Sequence, residues 1–83
     1  MVAITEILSI KTKVFKIVES QVSINLSSYH LDKDLVNDIG LSPLGIIHII
    51  TMVEKLYHIP ISDKEFEEIK TINNIINFIE THT

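Results

Sequence analysis

Side chains able to do chemistry are few in this sequence, and one is marked by its place. Ser42 precedes Pro43 at the head of an apolar run from Leu44 to Tyr57. The other candidates are His30, His48, His58 and His82, together with eleven Asp and Glu residues. There is no cysteine, which excludes disulfides and thiolate metal sites. The histidines do not fall at ligand spacing on one helix, and no carboxylate cluster joins them, so no metal site is expected. Ser42 and His48 are too far apart along one helix to face each other, so they do not form a nucleophile and base. The chain is therefore not expected to be an enzyme. Ser42 also has an ordinary role open to it. As N-cap its hydroxyl accepts from a backbone N–H of the first helical turn, and Pro43 suits the first helical position, where no donor is needed.

Four helices are predicted to position these residues. Ile7, Ile10, Val14, Ile17 and Val18 recur at three- and four-residue spacing, and Gln21 with Val22 continues the pattern. This gives a first helix from Thr5, its expected cap, to about Ser23, with Glu6, Lys11, Lys13, Lys16 and Glu19 on a solvated face. Ser23 to Leu41 has no period and reads as a long connection, pinned by Ile24, Leu26, Leu31, Leu35, Val36 and Ile39. Loops of that length in compact domains are uncommon and often functional. Gly40 suits a sharp turn before the second helix, since glycine tolerates positive φ.

The second helix is apolar on nearly every side, which means burial by several neighbours or a face offered to a partner. Gly45 inside it costs roughly 1 kcal/mol against Ala. That cost is either offset by packing alone or reflects a close approach. Ile59-Pro60-Ile61 ends the helix. Ser62-Asp63-Lys64-Glu65 is a capping box for a short third helix, with Phe66 and Ile69 turned to the core. Thr71 caps the last helix, whose stripe is Ile72, Ile75, Ile76 and Ile79, with Phe78 on its flank; Glu80 to Thr83 are expected to fray.

Asp38-Ile39-Gly40-Leu41-Ser42-Pro43-Leu44 resembles the Asp-Leu-Gly-x-Asp-Ser-Leu signature of acyl carrier proteins. Glu54-Lys55-Leu56-Tyr57-His58-Ile59-Pro60-Ile61-Ser62-Asp63 is similar to that family's Glu-Glu-Glu-Phe-Gly-Ile-Glu-Ile-Pro-Asp. Ile69-Lys70-Thr71-Ile72-Asn73-Asn74-Ile75-Ile76-Asn77-Phe78-Ile79 is similar to its Ile-Thr-Thr-Val-Gln-Asp-Ala-Ile-Asp-Tyr-Ile. The resemblance covers the second half of the chain well and the first half loosely. It implies an all-α four-helix bundle with a long first loop and a short third helix. It implies a carrier of an acyl or related group, held as a 4′-phosphopantetheine thioester in fatty-acid or polyketide-type biosynthesis.

In the gapless alignment the family's modified Ser falls on Pro43, and Ser42 stands where the family has Asp. Ser42 is then the candidate attachment hydroxyl. The resemblance also places partner contacts on Leu44, Ile47 and His48 of the second helix, for biosynthetic enzymes and a phosphopantetheinyl transferase. Simple core packing is the plainer role for Leu44 and Ile47. His48 replaces a family Glu, and Gly45 an acidic or small polar residue, so most of the acidic rim is missing. The other function class is an unmodified interaction module that keeps the fold without the prosthetic group.

Composition bounds both classes. Eighty-three residues allow one small domain, 1–83, expected as a monomer. The net charge is −4, and all seven basic residues are Lys. Mild acidity without a basic cluster argues against nucleic-acid binding. No apolar run reaches membrane-spanning length, and the start lacks the pattern of a signal peptide. A cytoplasmic location is expected.

Overall fold

The computed structural model describes residues 4–82, with side chains from residue 9 onward. Four helices follow in order: α1 (Ile4–Glu19), α2 (Pro43–Tyr57), α3 (Asp63–Glu68) and α4 (Ile72–His82), with a 3₁₀ turn at Ser28–His30 between the first two. The described residues contain no strand. This is the expected all-α architecture. α1 packs on both α4 and α2. The side chains of Val14, Val18, Leu35, Ile49, Val53, Ile72, Ile75 and Ile79 meet in a core that solvent does not reach. Such burial of aliphatic side chains is the main favourable term in holding the helices together.

Helix ends follow local chemistry where the sequence carries it. At α4, Thr71 Oγ1 accepts the Asn74 N–H at 3.1 Å, while Asn74 Oδ1 accepts the Thr71 N–H at 3.0 Å and the Lys70 N–H at 2.9 Å. At α3 the capping box is present: Ser62 Oγ accepts the Glu65 N–H at 3.2 Å, and Glu65 Oε1 accepts the Ser62 N–H at 3.1 Å. Ile69 is buried and Phe66 half-buried, as their spacing predicts.

The Glu65 carboxyl is held below its ordinary range, first by the Ser62 N–H, then by the Ser62 hydroxyl, with a smaller contribution from His82. A depressed carboxyl stabilises the fold above its unfolded pKa, and that contribution disappears as pH falls through the folded value. Protection of the α3 amides from hydrogen exchange is thus expected to fall as pH drops below the usual Glu range of about 4.3. Ser62→Ala removes the hydroxyl and keeps the N–H, so it is expected to weaken that dependence only in part.

Three boundaries differ from the sequence reading. α1 stops at Glu19, not near Ser23. Its last turn tightens, with Gln21 N–H donating to the Val18 carbonyl and the Ser20 hydroxyl to the Ile17 carbonyl. The Glu19 carboxylate then draws the chain back by accepting the Leu26 N–H at 2.8 Å. At the other end of α1, Thr5 lies within the helical span, while its side chain and those of Glu6 and Ile7 lie outside the described residues. α4 runs on through His82 instead of fraying at Glu80. His82 stacks on Phe78 and lies 3.7 Å from Glu65 of α3.

The long connection is tied down by backbone bonds as well as apolar anchors. Leu35 N–H donates to the Lys70 carbonyl at 2.9 Å, and Asn73 N–H to the Leu31 carbonyl at 3.1 Å. Both fasten the loop to the α3–α4 junction. Leu35 and Ile39 are buried, and Leu26 and Leu31 half-buried. Ile24 and Val36, expected as anchors, are exposed. Val36 lies in a turn where Asp34 Oδ1 accepts the N–H groups of Val36 and Asn37, and that geometry faces its side chain outward.

Candidate functional site

The site grows from the turn that delivers the chain into α2. Gly40 has φ +92°, a conformation that side-chain-bearing residues rarely adopt, and the space beside it is open. The glycine is there for its backbone, not for room. Leu41 is buried directly after it, and its N–H donates to the Leu35 carbonyl at 2.8 Å. Ser42 is then fixed as N-cap with extended backbone, and Pro43 occupies the first helical position. Ser42 Oγ accepts the Gly45 N–H at 3.0 Å.

Gly45 is buried, and a Cβ there would sit 3.2 Å from Leu41 Cδ2 and 3.4 Å from Ser42 Oγ. Its missing side chain admits the turn that precedes its own helix. The close approach is internal to the site, which accounts for a glycine in an otherwise apolar helix.

Ser42 is exposed, as are Leu44, Ile47 and His48. The last three share one face of α2 at i, i+3 and i+4. Leu44 is 61% and Ile47 49% exposed, so neither takes the plainer role in the core. The core side of α2 is Ile49, Ile50 and Val53. Sequence reasoning passed over Met52 and Leu56, which are 41% and 46% exposed; Met52 flanks the face of Leu44 and His48, and Leu56 lies on the side of α2 away from Ile47. Their signal is the all-round apolar character of the helix, which does not reveal which side a neighbour covers. The helix closes on His58, whose left-handed backbone (φ 56°) places its N–H on the Glu54 carbonyl.

Two concave surfaces flank this helix. A cleft of about 340 Å³ has Leu35, Val36, Ile46, Phe66 and Ile69 in its walls, where the loop, α2 and α3 meet. Ile46 lies one turn beyond Ser42. A second depression of about 310 Å³ lies between α2 and α3 and includes Ile47, Ile50, Ile61 and Phe66, with Glu54 and Asp63. Among the described residues no group of three His, Cys, Asp or Glu could hold a metal ion. No described helix is long and apolar enough to cross a membrane.

Ser42, exposed at the head of an apolar helix, and a nearby cleft whose apolar walls are edged by Asp34, Asn37, Glu67 and Lys70 are the main features of this end of the small helical domain. A family model described as phosphopantetheine attachment site matches residues 12–79. The chain is 31% identical over 71 residues to the acyl carrier protein of Onion yellows phytoplasma, covering 86% of this chain and 93% of that one. It is 27% identical over 71 residues to that of Clostridium acetobutylicum, covering 86% and 92%. It is 27% identical over 66 residues to that of Coprothermobacter proteolyticus, covering 80% of each. The chain belongs to the acyl carrier protein family.

Ser42 is also a structural residue, and its removal has a defined cost. Ser42→Ala leaves the Gly45 N–H without its acceptor and is expected to lower stability by about 1 kcal/mol. Ser42→Asp restores a cap, suits the helix dipole, and is expected to melt close to wild type. Thermal denaturation of the two variants beside wild type checks both.

Proposed function

We propose that this protein is a carrier, not a catalyst, and that its prosthetic arm is attached through Ser42. The observation that carries this reading is Ser42, an exposed residue at the positive end of the fifteen-residue helix α2, in a member of this family. The hydroxyl fits a phosphodiester. Backbone N–H groups at a helix start and the helix dipole favour negative charge there. Gly45 supplies such an N–H, already aimed at Ser42 Oγ. When bound, 4′-phosphopantetheine supplies a terminal thiol on a flexible arm, to which an acyl or related group is joined as a thioester. The cleft formed by Leu35, Ile46, Phe66 and Ile69 offers an apolar surface against which such a group can rest. Leu44, Ile47 and His48 form the surface on which biosynthetic enzymes and the phosphopantetheinyl transferase dock. The pathway is of fatty-acid or polyketide type, and the setting is the cytoplasm.

One observation favours a second reading. The Ser42 oxygen already has an acceptor role in the cap, which fits the gapless alignment read from the sequence, where Pro43 takes the family's attachment position. On this reading the chain is an unmodified module that works through α2 alone. Mass spectrometry of the protein co-produced with a general phosphopantetheinyl transferase separates the two. Added mass on Ser42 supports the carrier, and unmodified protein supports the module.

A further inference from the structure

The apolar face of α2 is unusual in its charge. The chain as a whole has net charge −4. Yet the ionisable groups exposed on α2 are Lys55 and His48. The one carboxylate of this helix, Glu54, is half-buried and turned to the backbone, where it accepts the Ile61 N–H at 3.0 Å. Carboxylates gather instead on α3, as Asp63, Glu65, Glu67 and Glu68. Asp63 approaches the α2 face only at its edge, beside Ile47.

We infer that the groove which receives α2 is apolar and carries carboxylates opposite Lys55 and His48. This rests on α2 being the docking surface, but not on Ser42 being loaded. Leu44, Ile47 and Met52 supply the area to be removed from water. A covered Lys ammonium needs an opposite charge, since an unpaired buried charge is costly. A groove lined with Lys or Arg would instead set like charges against Lys55, which works against association. A second copy of this chain pairing α2 against α2 would bring Lys55 against Lys55, with no exposed carboxylate on either helix to answer it. The partner selected by this face is therefore a protein with an acidic, apolar cleft.

Two synthetic amphipathic helical peptides test this on the full chain. Both have the same Leu stripe; one is flanked by Glu and the other by Lys. Each is titrated into the protein at neutral pH and physiological ionic strength while backbone amide shifts are followed. The Glu peptide is expected to bind about tenfold tighter than the Lys peptide, with shifts centred on Leu44, Ile47, Met52 and Lys55. The double variant His48→Glu, Lys55→Glu is expected to reverse the order while its helical spectrum stays unchanged. The titration uses protein that has not been exposed to a transferase, so a failure of loading leaves this result intact. Equal or tighter binding of the Lys peptide overturns the inference. So does binding by neither peptide, a shift pattern away from α2, or a protein that sediments as a dimer with α2 covered.

Discussion

Rebuilding the family signature with Ser42→Asp and Pro43→Ser is expected to raise the rate of loading by a phosphopantetheinyl transferase about 10²-fold over wild type. The reason is positional. A hydroxyl on the N-cap and one on the first helical residue leave the helix in different directions, because each residue turns the helix by about 100°. A transferase aligned on the second position meets Pro43 here, which has no hydroxyl. Attack on a phosphorus centre is sensitive to misplacement of this size. The double variant keeps the cap, since the carboxylate introduced by Ser42→Asp can accept the Gly45 N–H in place of the hydroxyl. The Pro43→Ser change adds a backbone N–H at a position that is exposed to water and needs no protein partner. Initial rates with matched concentrations of protein and donor, read by mass spectrometry, check this expectation. Rates that agree within a few-fold would mean that position along the helix start does not limit loading.

The largest effect on stability is expected from Ile75→Ala. Ile75 is fully buried on α4 within the shared core. Truncation removes apolar contacts and leaves a cavity, at a cost of about 3 kcal/mol. For a domain of this size that is a large share of a total stability of roughly 5–10 kcal/mol. Leu44→Ala removes as much hydrocarbon from α2, but Leu44 is exposed, and surface changes of this kind usually stay within about 0.5 kcal/mol. Chemical denaturation of both variants makes the comparison. Equal destabilisation would mean that Leu44 is packed and not presented.

That pair also marks the limit of the sequence. The α4 stripe from Ile72 to Ile79 was legible because its polar neighbours isolate one apolar face. α2 offered no such contrast, so spacing could not separate Ile49 and Val53, which are buried, from Leu44, Ile47, Met52 and Leu56, which are not. The placement of the neighbouring elements decides it, α1 among them. Helix starts at Ser42, Ser62 and Thr71 were legible because each cap is made by side chains within three residues of the start. The end of α1 was not, because it depends on Glu19 reaching Leu26 across the loop. The end of α2 was legible only as far as Pro60; the left-handed His58 carries no sequence signal comparable to glycine. At the site, the Ser-Pro start was visible in sequence, whereas the reason for Gly45 needed the position of Leu41.

Attachment through Ser42 is tested most directly by the intact mass of wild-type protein and of Ser42→Ala, each co-produced with a general phosphopantetheinyl transferase. Wild type is expected to gain the mass of one 4′-phosphopantetheine arm, slowly, and Ser42→Ala to gain none while remaining folded. Wild type that stays unmodified after prolonged exposure, or that is modified at a residue other than Ser42, would contradict it.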